Sequence, residues 1–211
     1  MSDGRTERAA AQRSETRAGL LDAALRVFSR KGYHATSISD LVAEAGVARG
    51  TFYLHFESKN QVFLALLDSL ATSFPTTLRG ADTGPDAAPL HAQLVDIVER
   101  LLLATRANRP VAAILFREAF VLDADVQARV RQFEDALHVW LTASLGRGQA
   151  LGWLAPHPPD VVATALFGMV RQSIDRYVVS VSHDDVDLGG VADALVGFAL
   201  RGLHPRPQGA P

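Results

Sequence analysis

Residues 35–61, ATSISDLVAEAGVARGTFYLHFESKNQ, carry the residue types and spacing that point most directly to a chemistry. Ile38, Leu41, Val42, Val47, Phe52 and Phe56 are spaced to clamp two short crossing helices against a preceding one. Gly46 lies where the chain must turn between them, a position that favours left-handed backbone. Once those positions are spent on packing, Arg49, Gly50, Thr51, Tyr53 and His55 are left pointing outward. A helix-turn-helix lays its second helix in the major groove of DNA, so these five are the side chains that would meet the duplex.

No rival chemistry has a comparable signature. The chain contains no HExxH, no P-loop, no GxSxG and no GxGxxG after a strand. Its seven histidines, at 34, 55, 91, 138, 157, 183 and 204, show no i, i+4 metal spacing. Cysteine is absent, which excludes disulfides, thiolate metal sites and Cys nucleophiles. No catalytic residue, metal ligand or cofactor is nominated, and the chain reads as something other than an enzyme.

The elements that must position the outward residues are helical. Ala, Leu, Arg and Glu dominate, and nothing alternates with period two for long enough to make a strand. Residues 1–13 lack an apolar pattern and read as a flexible N-terminal arm. A first helix is predicted over about 14–31, with Leu20, Leu21, Ala24, Leu25, Val27 and Phe28 inside and Gly32 as its stop. Ser37 and Asp40 form a capping pair opening a second helix to about Ala45, and a third runs about 48–54. Ser58-Lys59-Asn60-Gln61 reads as a capping box ahead of a fourth helix reaching the region of Phe74 to Leu78.

A linker by composition, GADTGPDAAP (80–89), separates this region from helices at about 90–107, 110–121, 124–146, 160–181 and 190–203. Asp123 is placed to cap the helix at 124. The domains are thus an arm (1–13), a three-helix DNA-binding head (14–60), a larger helical body (61–204) and a flexible tail (205–211).

Composition agrees without being decisive. The 211 residues carry 21 basic and 23 acidic side chains, a formal net charge of −2, which by itself nominates no nucleic acid. Residues 1–60 hold nine basic and seven acidic side chains, whereas the rest holds twelve and sixteen. That asymmetry has the sign expected of a DNA-facing head on an acidic body. No apolar run is long enough to span a membrane and no signal peptide is visible, so a cytoplasmic protein is expected.

The motif resembles the N-terminal domain of TetR-family transcriptional regulators. The matching residues are Gly32-Tyr33, Thr36-Ser37-Ile38, Ala45-Gly46-Val47, Gly50-Thr51-Phe52-Tyr53, His55-Phe56 and Ser58-Lys59, in order and without a gap. The likeness covers roughly residues 15–67, with Ala48 standing where many members carry a capping Ser. It implies that Arg49 and Thr51 contact base edges: Arg pairs bidentately with guanine and the Thr methyl touches a thymine methyl. Gly50 would let the backbone approach closely. Tyr53 and His55 are similar to the family's phosphate and groove contacts. Lys59, Thr36 and Ser37, at helix starts, would hold phosphates.

The same resemblance implies a ligand-binding and dimerisation body. The helix at about 160–181 is apolar on nearly all sides and must be covered on two sides, one by its own bundle and the other by a partner subunit or, alternatively, by further helices of a monomeric bundle. Val162, Leu166 and Met169 there, with Val191, Leu195 and Phe198 on the last helix, are the expected homodimer contacts. An effector pocket is expected among Leu94, Leu102, Phe116, Phe120, Trp140, Phe167 and Tyr177, with Arg117, His138 and Gln172 as polar candidates. Each of these aromatics also fits ordinary core packing.

The expected protein is therefore all-α, with an N-terminal helix-turn-helix domain and a larger ligand-binding and dimerisation domain. It would bind double-stranded, pseudo-palindromic operator DNA as a homodimer, without any membrane partner. Most simply it is a repressor released by a small, largely apolar effector. The alternatives are a helical interaction protein, or an activator of the same fold that does not work by effector-induced release.

Overall fold

Every regular element among the described residues is helical. The computed structural model describes residues 3–77, 80–117, 123–180 and 185–203, excluding the side chains at 3, 5, 70–77 and 117. Among these the order is α1 (Asp3–Lys31), α2 (Ile38–Ala45), α3 (Arg49–Tyr53), α4 (Lys59–Thr77), α5 (Leu90–Ala107), α6 (Arg109–Arg117), α7 (Ala124–Ala150), α8 (Pro159–Ile174) and α9 (Leu188–Leu203), with no strand. Phe120, the Arg117 side chain and the tail 205–211 lie outside the described residues.

One boundary differs substantially from the sequence reading. Helix α1 begins at Asp3 instead of near residue 14, so most of the expected arm is helical. Residues 6–15 are all exposed and bury no apolar face. Strong helix formers, Ala9 to Arg13, carry the helix outward by propensity and continuity with a packed helix rather than by tertiary contact.

Two compact units emerge, and none of the three divisions between them falls at residue 60. The first joins Met1–Thr72 to Asn108–Arg129. Its core comes from Leu20, Ala24, Val27 and Phe28 of α1, Leu41 of α2, Phe52 of α3, and Val62, Phe63, Leu66 and Leu67 of α4. Val111 and Ile114 of α6 and Val126 of α7 are equally buried, and α6 packs on α1. The head thus includes most of α4, whose Phe63 ring lies 6.4 Å from Phe28 and 5.3 Å from Tyr33.

The second unit joins Ser73–Ala107 to Val130–Pro211. Helices α5 and α9 pack along each other, and Ile97, Leu102, Leu188, Ala192 and Val196 are buried. Helix α7 overruns its expected end by a turn before Gly152, at φ 74°, reverses the chain. Leu154 then folds back onto Gly148, where a Cβ would come within 2.9 Å of its side chain. The loop is closed by Gln149, whose amide donates to the Ala155 and His157 carbonyls, and by Ala155 N–H donating to Leu203 O at 2.8 Å. Helix α8 passes into a π-helical turn, Asp175–Val179. There Ser180 N–H donates to Asp175 O, an i→i−5 bond of 2.8 Å.

Candidate nucleic-acid interface

Three local devices set the pose of the short helix α3. The first is the start of α2, where Ser37 accepts from Asp40 N–H at 3.2 Å while the Asp40 carboxylate accepts from Ser37 N–H at 2.9 Å. This reciprocal capping box satisfies two helix-end donors. The second is the α2–α3 turn, where Gly46 adopts φ 67° and Val47 N–H reaches back to Val42 O at 3.1 Å. A side chain at Gly46 would strain that left-handed backbone. The third is Phe52, fully buried, which anchors α3 to the core.

With Phe52 inside, the opposite face of α3 is open. Arg49 and Gly50 are exposed, Tyr53 is 47% exposed, and Thr51 and His55 are partly exposed. The Arg49 guanidinium lies over the Tyr53 ring, 5.9 Å from its centroid, with Nη2 3.4 Å from the Tyr53 hydroxyl. That i, i+4 pair holds a cation and a hydroxyl side by side on the outer face. A Cβ at Gly50 would meet nothing within 4 Å, so the backbone there is accessible from outside. Ala48, at the N-cap, makes no side-chain cap bond.

Leu54, 70% exposed beside Tyr53, is a face residue that the sequence reading passed over. Its place in the outward run from Arg49 to His55 was the available signal, and apolar contact with a thymine methyl is the chemistry it offers.

Two nominated phosphate ligands are turned inward. Thr36 is 3% exposed and its hydroxyl donates to Gly32 O at 2.7 Å, closing the turn after α1. The Lys59 ammonium donates to the carbonyls of Tyr33 (2.6 Å), Thr36 (2.8 Å) and His34 (3.3 Å) and sits 4.4 Å from the Tyr33 ring centroid. An ammonium has three protons, and three carbonyls take them. Lys59 is therefore a tie between α4 and the α1–α2 turn, not an outward cation. Ser37 is exposed, but its hydroxyl serves the cap. The second expected capping box is half formed: Ser58 accepts from Gln61 N–H at 3.2 Å, whereas the Gln61 side chain reaches one residue further back, to Glu57 N–H.

Arg30 and Lys31, in the last turn of α1 where positive charge suits the helix dipole, also bridge to α2. Arg26 and Arg30 bind Glu44, and Lys31 binds Asp40. The two arginines hold the Glu44 carboxyl down at about 2, chiefly through their hydrogen bonds, with charge attraction adding to them. Lys31 and the Ser37 backbone N–H hold Asp40 well below the usual carboxylate range.

In the body the nominated residues are scattered by environment. Leu102 is fully buried, Leu94, Trp140 and Phe167 are half-buried, and Tyr177 and Gln172 are exposed. Phe116 falls in the first unit. His138 Nε2 lies 3.0 Å from Thr164 Oγ1, linking α7 to α8. Of the six expected dimer contacts only Phe198 is fully open, at 68% exposure. Val162, Leu166, Met169, Val191 and Leu195 are half-buried within their own unit. The open face of α8 is instead Val161, Ala165, Gly168 and Gln172, one helical stripe displaced from the nominated one. Among the described residues no group of three or more acidic, His or Cys side chains could hold a metal, and no helix is long and apolar enough to cross a membrane.

Comparison with known proteins agrees with this geometry. The family model for bacterial regulatory proteins of the tetR family matches residues 20–66, and that for the tetracyclin repressor-like C-terminal domain matches residues 87–177. The probable HTH-type transcriptional regulator ArpR of Pseudomonas putida is 31% identical over 200 residues, spanning 92% of this chain and 93% of that protein. The chain belongs to the TetR family. It is a DNA-binding transcriptional regulator. A second relative, the fatty acid metabolism regulator protein of Bacillus subtilis, is 40% identical over 189 residues, covering 88% of this chain and 94% of its own. A TetR-family regulatory protein from Rhodococcus RHA1 shares the fold, with a TM-score of 0.72 and 23% identity over 91% of this chain and 98% of that one.

Proposed function

We propose that this TetR-family regulator is a repressor that binds a pseudo-palindromic operator as a homodimer, and that a small, largely apolar effector releases it. The observation that carries the reading is the two-sided segment of α3 and the two residues after it, with Phe52 locked in the core, Arg49, Gly50, Tyr53 and Leu54 exposed, and Thr51 and His55 partly exposed. Arg49 and Thr51 read base edges, while Tyr53 and His55 hold the backbone. Ser37 contributes through the capped start of α2. Thr36 and Lys59 act by holding the turn.

The open stripe of α8 with Phe198 of α9 supports a second copy as the body's partner. Such a dimer would set two α3 helices about 34–36 Å apart, one helical turn of DNA. Half-buried aromatics of the body, Trp140 and Phe167 among them, favour an apolar effector, and the name of the B. subtilis relative makes acyl compounds the first class to try. Release needs only that the effector prefer a body conformation whose heads do not match the groove spacing. The regulator would work in the cytoplasm, where its DNA lies.

Selection of bound genomic fragments, followed by titration at low and moderate salt, tests this. Operator affinity should fall steeply with salt, because phosphate contacts release counterions, and Tyr53→Ala should weaken it while Phe198→Glu shifts dimers to monomers in sedimentation. A flat salt response would remove the DNA reading; an unchanged dimer with Phe198→Glu would remove the proposed interface.

A further inference from the structure

The first turn of α4 carries an amide whose two ends are engaged in different directions. Asn60 Oδ1 accepts from the Tyr33 hydroxyl, and Asn60 Nδ2 donates to Oδ2 of Asp123. Tyr33, 3% exposed, belongs to the turn between α1 and α2, and its ring packs between Phe28 and Phe63 at 5.4 and 5.3 Å. Asp123 stands at the start of α7, where its carbonyl accepts from Gln127 N–H at 3.0 Å. Lys59, the neighbour of Asn60, grips the same α1–α2 turn through three carbonyls. Further along α4, Asp68 accepts from Arg129 Nε at 2.8 Å and from its Nη2, so α4 and α7 are tied at two levels. Both helices contribute residues to each of the two units.

The chemistry of the three groups fits a relay. A carboxylate only accepts and an amide both donates and accepts; with its oxygen facing the phenol and its nitrogen facing the carboxylate, Asn60 satisfies both partners. A shift of the α7 start would therefore be felt at the Tyr33 hydroxyl without passing through the apolar core. From that turn hang α2, by the Ser37 cap, and then α3.

We propose that Asn60 is a positioning residue for DNA recognition, which links the placement of the α7 start, through Asp123, to Tyr33 and the turn that seats the reading helix. The proposal rests on the DNA-regulator reading above and assigns a transmitting role within the head.

A polarity swap tests it. In Asn60→Asp two carboxylates face each other, while Tyr33 keeps an acceptor. In Asn60→Asp with Asp123→Asn, the new amide at 123 donates to the new carboxylate at 60, so that bond returns with reversed polarity while the Tyr33 hydroxyl still donates to residue 60. Because the groups form one network, the single variant should weaken operator binding about tenfold. It should also speed hydrogen exchange across residues 38–53 of the DNA-free protein while leaving α9 unchanged. The double variant should return both readouts to within about threefold of the wild type. Tyr33→Phe, which removes one hydroxyl and adds no charge, should shift both readouts in the same direction by less.

Wild-type affinity and exchange in Asn60→Asp, or a double variant no better than the single one, would overturn the relay. If the wild-type protein binds no genomic fragment, the DNA reading fails on its own, and exchange across residues 38–53 still decides whether Asn60 holds that segment.

Discussion

The head and the body of this regulator use their aromatic residues differently. In the head, Phe28, Tyr33, Phe52, Phe56 and Phe63 are buried and in ring contact with one another or with a neighbouring aromatic residue. In the body, Phe133, Trp140, Trp153 and Phe167 are only half-buried, and Tyr177 and Phe198 are exposed. Its buried core is aliphatic, built on residues such as Ile97, Leu102, Val178 and Val196. Groove contact requires side chains held to within a fraction of an ångström, which a close-packed aromatic core provides. A surface meant to receive a ligand or a second subunit must leave large apolar groups uncovered until the partner arrives.

Charge separates the two regions in the same way. The head clasps α1 to α2 with Arg26, Arg30 and Lys31 against Glu44 and Asp40, and it caps its central turn with Lys59. These basic residues near the reading helix thus do structural work, whereas Arg49 stands on the exposed face beside Tyr53.

The sharpest way to break the comparison is Phe52→Ala. Truncating a buried Phe costs about 3–5 kcal/mol, so amide protection should collapse in α2 and α3 while α9 keeps its own. Equal loss in α9 would show that head and body melt as one unit and that their difference in packing has no energetic meaning.

Next in size is a contrast between two cations. Lys59→Ala removes charge-assisted bonds to three carbonyls and should destabilise the head by about 1–3 kcal/mol, leaving the salt slope of operator binding unchanged. Arg49→Ala should cost about 1–3 kcal/mol of operator affinity with an unaltered melting curve. If Lys59→Ala lowers the salt slope and spares the melting curve, the inward assignment of its ammonium is wrong.

The smallest effect is that of pH. Asp40 and Glu44 have folded pKa values below their ordinary 3.8 and 4.5, that of Glu44 reaching about 2. Their contribution is complete above pH about 4.5 and is lost as pH falls, that of Glu44 through about 2 and that of Asp40 lower still. Exposure and salt screening keep it modest. Protection of α2 should decline through that window in the wild type and decline less in Glu44→Gln; identical profiles would remove the clasp as its cause.

Much of the head was legible in the sequence because its signals are local. Ser37 and Asp40, three residues apart, specify a helix start; Gly46 specifies the reversal; Phe52 and Phe56, four residues apart, mark which side of the α3 segment is buried. Each involves partners within a turn or two, where covalent geometry leaves few choices. The body was legible as helices and not as faces. Helix α8 is apolar on nearly all sides, so periodicity could not say which stripe its own bundle covers, and the exposed one proved to be Val161, Ala165, Gly168 and Gln172 instead of Val162, Leu166 and Met169.

What the sequence by itself determined is the class of protein, the order of its helices and, Leu54 apart, the outward residues around α3. Only the tertiary structure decided that Lys59 and Thr36 turn inward, that residues 108–129 belong to the head, and that Asn60 meets Asp123 across 63 positions of chain. The physical reason is one of range. A cap or a turn is chosen by neighbours already bonded together, whereas a long polar side chain takes whichever donor or acceptor the fold brings within 3 Å, and that depends on every helix at once.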